Sequence, residues 1–261
     1  MDSVNKTLYI PLYGKALVSR KGILLKDPKA EEIWEKEGFL LKGKAASKWL
    51  AYNMGMRAAV FDQWTLRAME AEPGAIVVHI GCGMDSRCHR VGTGESQWYD
   101  IDFPEVIRER KRYFTETEIY HMIAADMRTD AWKAQLPHGG KAIVVMEGVS
   151  MYFRPEELET LLKALKAQFD GVCLLMDCYS VFAAKASKYK NPINEVGVTT
   201  VYGMDDPSLL AERTGFAYVA EHDLTPLQMI AQLTAAERIV FSNLFAGKLA
   251  RKIYRLYEFK T

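Results

Sequence analysis

Two glycines and an acid in the order G-x-G-x-D, at Gly81, Gly83 and Asp85, make a turn that can bring backbone close to a ligand. Ser86 stands where a dinucleotide fingerprint has its third glycine, which disfavours a pyrophosphate cradle. Such a turn suits a ligand that lacks phosphates but carries an amino acid and a nucleoside. Asp102 follows about twenty residues later, where a carboxylate can accept both hydroxyls of a ribose. Asp100 is its rival; alternation along the strand is expected to send the two to opposite sides, and Asp102 is favoured because it lies nearer the end of its strand. By itself Asp102 also reads as a helix cap before Phe103-Pro104. At Asp126-Met127 a carboxylate can accept the exocyclic amine of adenine while an apolar neighbour packs on the ring; the plainer reading is a helix N-cap for residues 128–135. Glu147 ends the run AIVVM, and an unpaired buried charge is costly, so a cationic partner such as a ligand ammonium would account for it. Tyr152, five residues further on, is a candidate to line a second-substrate pocket or to act in catalysis; more often such a tyrosine is simply packed.

Each of these positions falls just after a predicted strand. Residues 75–80 (AIVVHI) and 142–146 (AIVVM) are continuous apolar runs, as expected of strands covered on both faces. Residues 97–101, 120–124 and 172–176 are further strands. Helices are expected over 104–114 and 155–169, the second with Leu158, Leu161, Leu162 and Leu165 on one stripe. Beyond them, 206–214 and 235–246 read as helices, and 216–221 and 252–259 as extended. Residues 191–203 show little pattern and are expected to form a loop or lid. Upstream, Asp27-Pro28 opens a short helix to Glu37, and residues 44–70 form a long one that Pro73-Gly74 closes. Strands alternating with helices predict a doubly wound α/β sheet with ligands at the carboxyl ends of its strands.

The bulk numbers exclude several classes. With 261 residues, 49% hydrophobic and 26% charged, the chain is an ordinary globular protein. A formal net charge of +1 gives no bulk attraction to nucleic acid. There is no apolar run long enough for a membrane span, and the first residues lack a signal peptide's apolar core, so a cytoplasmic location is expected. Cys82 and Cys88 lie near His79 and His89, but their spacing matches no common zinc pattern, and no metal is expected. His79 itself reads as a satisfied core residue. Oligomeric state is not legible.

The segments IPLYGKALVSR, MRAAVFDQW, VVHIGCGMDSRCHRV, WYDIDFPEVIRERKRYF, AADMRTDAW, MEGVSMYF and YGMDDP occur in this order over residues 8–207. In them the chain resembles the leucine carboxyl methyltransferase family, in its tetracenomycin polyketide O-methyltransferase-like branch. The resemblance implies a class I methyltransferase (Rossmann-like) sheet of seven strands, the last antiparallel. It also implies one domain over 1–261, with 1–72 as a helical N-terminal cap. The implied methyl donor is S-adenosylmethionine, and the implied acceptor is a hydroxyl or carboxylate of a polyketide-like small molecule. Carried over by position, Gly81 and Gly83 border the methionine part of the donor, Asp102 holds the ribose, and Asp126 and Met127 border the adenine. Glu147 holds the α-ammonium and Arg57 pairs with the carboxylate. Lys15 falls where the motif often has arginine, and the two cations differ in geometry. Ser86 replaces a usual threonine and keeps the hydroxyl. Methylation of a protein's C-terminal carboxylate, donor binding without turnover, and nicotinamide-dependent hydride transfer stay open as alternatives; the missing third glycine argues against the last.

Overall fold

The computed structural model describes residues 8–38, 41, 43–190 and 200–261. Its centre is a seven-stranded sheet of β1 (Ile76–Ile80), β2 (Trp98–Asp102), β3 (Tyr120–Ala124), β4 (Lys141–Met146), β5 (Gly171–Tyr179), β6 (Ala217–His222) and β7 (Tyr254–Lys260). The spatial order is β3-β2-β1-β4-β5-β7-β6. Neighbours among β1 to β5 pair in parallel, whereas β7 runs antiparallel to both β5 and β6. Chain order reverses between β1 and β4, and that switch point is where an open sheet of this kind leaves a crevice.

The continuous apolar runs are explained by two cores. Along β4, Ile143 and Val145 join one buried cluster while Ala142, Val144 and Met146 join the other. Successive side chains of a strand point to opposite faces, so both faces must be covered. One cover is α1 (Tyr9–Arg20), α2 (Pro28–Glu37) and the long α3 (Lys48–Ala71). The other includes α6 (Pro155–Gln168), which buries Leu158, Leu161, Leu162 and Leu165 on one stripe. Each fully buried leucine contributes about 1.5–3 kcal/mol. Between them in chain order lie α4 (Arg87–Val91) and α5 (Pro104–Arg110). After β5 come α7 (Val181–Lys190) and α8 (Pro207–Thr214), and between β6 and β7 stand α9 (Leu227–Ile230), α10 (Ala235–Phe241) and α11 (Lys248–Ile253).

Several boundaries differ from expectation, each for a local reason. The helix expected over 44–70 is broken: a 3-10 turn covers Gly43–Ala46, and Ser47 is extended, with ψ 127°, as the N-cap of α3. The helix expected to run to Phe114 stops at Arg110, whose side chain turns inward to Asp100, Tyr120 and the carbonyl of Gly83. The stretch 128–135 holds only a 3-10 turn, Lys133–Gln135. The stretch 235–246 leaves α-geometry after Phe241 and passes through a π turn, Ser242–Ala246, before Gly247. β5 runs three residues beyond Met176 because β7 pairs with it as far as Tyr179. Most of the expected loop or lid, residues 191–199, lies outside the described residues. Gly203 forms a bridge with Tyr179.

Candidate active site

A cavity of about 1110 Å³ opens over the carboxyl ends of β1 to β5. Lys15, Arg57, Gly81, Gly83, Asp102, Asp126, Met127, Glu147 and Tyr152 all line it. Residues spread over more than half the chain are thus gathered by the sheet topology onto one rim.

The glycine turn leaves β1 with both Gly81 and Cys82 donating to the carbonyl of Ile101, at 2.8 and 3.3 Å. Gly81 has φ +67°, and a Cβ there would lie 2.6 Å from Val149 Cγ2. Only glycine combines that conformation with that approach. The next glycine ties the turn to β2: Gly83 N–H donates to Asp102 Oδ2 at 2.8 Å, and Phe103 N–H donates to Oδ1 at 2.8 Å. Burial pushes the Asp102 carboxyl up to about 6, against the pull of these two donors. Its remaining lone pairs are available to hydroxyls.

The expectation that alternation separates Asp100 from Asp102 is corrected: the two lie two apart on one strand and share a face, and depth separates them instead. Asp100 is fully buried, bonded to Arg110, His79, Tyr120 and Trp98. Burial alone would raise its pKa, but Arg110 and His79 hold it well below the ordinary carboxyl range. Asp100 is therefore structural, and Asp102 is the carboxylate at the cavity. His79 sits between Asp100 and Arg87, at 3.2 Å from each, as a satisfied interior residue.

After β3, Asp126 accepts from the Arg128 backbone N–H at 3.0 Å and from its guanidinium at 2.7–3.0 Å. That pairing keeps its pKa low. Met127 is buried beside it. After β4, Glu147 is paired with protein cations: Arg57 Nε donates to Oε1 at 3.0 Å, and Arg87 Nη2 donates to Oε2. Burial would raise its pKa, but Arg87 and Arg57 bring it down to about 2. The burial of Glu147 thus needs no ligand ammonium, a correction to the sequence-based argument. Lys15 reaches the turn from α1 and pairs with Asp85 at 3.1 Å, both buried. Tyr152 is half-buried on the wall, and burial raises its phenol pKa, so it stays protonated.

Several members of this network were not assigned from sequence. Arg87, fully buried, also donates to Asp62 at 2.8 Å, and Arg90 bridges Asp27, Asp62 and Asp85 at 2.7 Å each. Asp85 and Arg87 lie inside the quoted glycine motif, so a signal for them existed. Asp177, near the end of β5, accepts from Gly148 N–H at 2.7 Å and from the Tyr254 hydroxyl, and it forms an ion pair with Arg57 Nη1 at 3.2 Å. Its place in the last residues of β5 brings it close to the rim that Asp102, Asp126 and Glu147 occupy, but it sits inside its strand and does not line the cavity. Tyr254, which also accepts from Arg57 at 2.8 Å, carried no local signal. Among the described residues no group of three or more His, Cys, Asp or Glu could hold a metal ion.

A parallel sheet with an antiparallel closing strand, a glycine turn after β1 and carboxylates after β2, β3 and β4 define an S-adenosylmethionine-dependent methyltransferase. The sequence profile of "Leucine carboxyl methyltransferase" matches residues 4–166, and the chain belongs to that family. It is 27% identical over 263 residues to the tetracenomycin polyketide synthesis O-methyltransferase TcmP of Streptomyces glaucescens, covering 99% of this chain and 97% of that one. It is 28% identical over 179 residues to the S-adenosyl-L-methionine-dependent methyltransferase dpfgK of Gibberella zeae, covering 63% and 60%. The fold is shared with a methyltransferase structure from Thermobifida fusca, at TM-score 0.57, 11% identity and 95% and 94% coverage. It is also shared with magnesium protoporphyrin IX methyltransferase from Synechocystis PCC 6803, at TM-score 0.52, 13% identity and 90% and 99% coverage.

Proposed function

We propose that this enzyme transfers the methyl group of S-adenosylmethionine to an oxygen of a polyketide-like small molecule. The observation that carries this reading is the convergence of Gly81, Gly83, Asp102, Asp126, Glu147 and Arg57 on one cavity. The row of carboxylates along the rim fits a cationic adenosyl amino acid. Asp102 would take the ribose hydroxyls, Asp126 and Met127 would border the adenine, and Glu147 with Arg57 would hold the amino-acid end. Lys15 would act at one remove, by holding Asp85 under the turn. Bound there, the donor supplies an already activated methyl group, so the protein's share is to align the acceptor and exclude water. The relative named for polyketide synthesis supports the acceptor class, and the one named for S-adenosylmethionine dependence supports the donor. Lys15 and Arg57 from the cap share the cavity with sheet residues, which supports one domain over 1–261 with 1–72 as its cap. Four free cysteines fit a reducing, cytoplasmic setting. Among the described residues no helix is long and apolar enough to cross a membrane.

Titration with S-adenosylhomocysteine tests the cofactor site. Micromolar binding is expected for the natural chain, and Asp102→Ala should weaken it by about tenfold to a hundredfold, since hydrogen bonds to charged groups are worth about 1.5–3 kcal/mol. Undiminished affinity in that variant would remove Asp102 from the ribose.

A further inference from the structure

We infer that Tyr254, Asp177 and Gly148 form a clamp that aims one corner of the Arg57 guanidinium, Nη2, into the cavity to meet the carboxylate of the bound donor. This rests on the reading of the cavity as a methyl-donor site. It adds what that reading leaves open: which atom of Arg57 meets the ligand, and which residues behind it keep it there.

Arg57 needs such a device because of where it comes from. It stands in the middle of α3, in the cap, while the strand ends it serves belong to the sheet. A guanidinium carries five N–H donors in a rigid fork, so it recognises a carboxylate by orientation as well as by charge. Two of its three nitrogens are committed to the sheet. Nε donates to Glu147 Oε1 at 3.0 Å, and Nη1 donates to the Tyr254 hydroxyl at 2.8 Å. Nη1 also lies 3.2 Å from Asp177 Oδ2. These anchors fix the plane of the group and leave Nη2 as the corner to be offered to a ligand.

Gly148 supplies the room for that corner. Its φ is +70°, and a Cβ on it would lie 3.0 Å from Arg57 Nη2 and 3.3 Å from Nη1. A side chain there would press on the guanidinium as well as strain the backbone. Asp177 holds the same turn, accepting from Gly148 N–H at 2.7 Å. Fully buried, Asp177 thus fixes both the backbone beside Nη2 and the hydroxyl that meets Nη1.

The Tyr254 hydroxyl keeps the clamp from closing on itself. It donates to Asp177 and accepts from Nη1, so it stands between the two charges. Burial raises its pKa, which keeps it a neutral donor. Without it, Asp177 would lose a donor in a buried site, and the nearest replacement is the guanidinium itself. Drawn fully onto Asp177, Arg57 would turn away from the cavity. Tyr254, Gly148 and Asp177 are therefore positioning residues. The aim also divides the cavity: with the amino-acid end of the donor held beside Gly148, the space toward β7 and α11, lined by Leu244, Leu249 and Ile253, is left to the acceptor.

Three ligands built on one thioadenosine test the inference by calorimetric titration into the full chain. S-adenosylhomocysteine carries the ammonium and the carboxylate, S-adenosyl-3-thiopropylamine lacks the carboxylate alone, and 5′-methylthioadenosine lacks both. Tyr254→Phe should weaken S-adenosylhomocysteine about tenfold, the scale of one hydrogen bond to a charged group, and leave the other two ligands within about twofold. Gly148→Ala, which crowds Nη2 and leaves the hydroxyl in place, should give the same carboxylate-specific loss. Pairing a change in the protein with a change in the ligand isolates their coupling, so a general loosening of the site cancels. Equal losses for all three ligands, or no loss for S-adenosylhomocysteine, overturns the inference. Retained binding of 5′-methylthioadenosine shows that a variant is folded; if one variant fails that control the other decides, and failure of both overturns the inference, because the clamp would then serve the fold. In the natural chain, equal affinity for S-adenosylhomocysteine and the amine also overturns it, while leaving the donor site standing. Failure of all three ligands to bind the natural chain overturns the donor site itself.

Discussion

The two ends of the cavity are built from opposite materials. Toward β1 to β4 it is a closed lattice of charges: Asp27, Asp62, Asp85 and Glu147 interlock with Lys15, Arg57, Arg87 and Arg90, nearly all out of water. Toward β7 and α11 it is an apolar lip, with Leu244 and Leu249 largely exposed. The charged end is preorganised, because every carboxylate is held by at least one guanidinium or ammonium that other carboxylates also hold. The apolar end leaves Leu244 and Leu249 uncovered and gains most from whatever covers them. The contrast assigns constancy to the donor's end and adaptability to the acceptor's.

The sharpest way to break this comparison is to remove a charge from the lattice. Arg87→Met should cost about 3–5 kcal/mol of stability in a denaturant titration, because Glu147, Asp62 and Asp85 would each lose a buried partner. A loss below about 1 kcal/mol, the scale of a surface pair, would show that the lattice carries little more than exposed ion pairs do. Next in size is Asp102→Ala, with its expected tenfold to hundredfold loss of S-adenosylhomocysteine affinity. Its effect on stability should be small or favourable, since its partners Gly83 and Phe103 N–H are released at the cavity's edge. The two variants thus separate the charges that hold the fold from the one that faces the ligand.

Acidification sharpens the same distinction. Burial raises the Asp102 carboxyl to about 6, above its value in the unfolded chain. Between the ordinary carboxyl range and pH 6 the folded protein holds a proton that the unfolded chain has lost, so this group lowers stability as pH rises through that window. Hydroxyls donating to the carboxylate favour its charged form. Affinity for S-adenosylhomocysteine should therefore be full at about pH 7 and above and fall below pH 6, by at most about tenfold per unit. Glu147, held at about 2, should add nothing over that range. Calorimetric titrations from pH 5 to 8 measure it, and a flat profile would detach Asp102 from the ligand.

The legibility of the two ends in the sequence follows their construction. The apolar runs before Gly81 and Glu147 reveal strands covered on both faces, and period-two alternation between the two cores explains why those runs are unbroken. Carboxylates and glycines at strand ends could be read because chain order alone places them on one rim. Their partners could not: Arg57 and Glu147 lie 90 residues apart, and Arg57 and Tyr254 lie 197 apart. Asp177 was missed because β5 extends three residues further than its apolar run suggests, through pairing with β7 that no local pattern announces. The break of the long helix at Ser47 had only a compositional signal: serine is a favoured N-cap, yet its side chain makes no capping bond here. The π turn after Phe241 had no comparable signal.

The smallest expected effect tests the adaptable end. Leu249, 69% exposed on α11, supports no core cluster, so Leu249→Ser should change stability by less than about 0.5 kcal/mol. S-adenosylhomocysteine affinity should stay within about twofold, because the proposed donor contacts lie at the ends of β1 to β4. Binding of 2-naphthol, an apolar ring probe for the acceptor's end, to the cofactor complex should weaken by about fivefold, the equivalent of about 1 kcal/mol of lost apolar contact. If donor affinity falls together with that of the probe, the two ends are mechanically coupled and the division between a fixed and an adaptable half fails. If only the probe is affected, the lip on α11 is where a change of acceptor can evolve without disturbing the charge lattice beneath it.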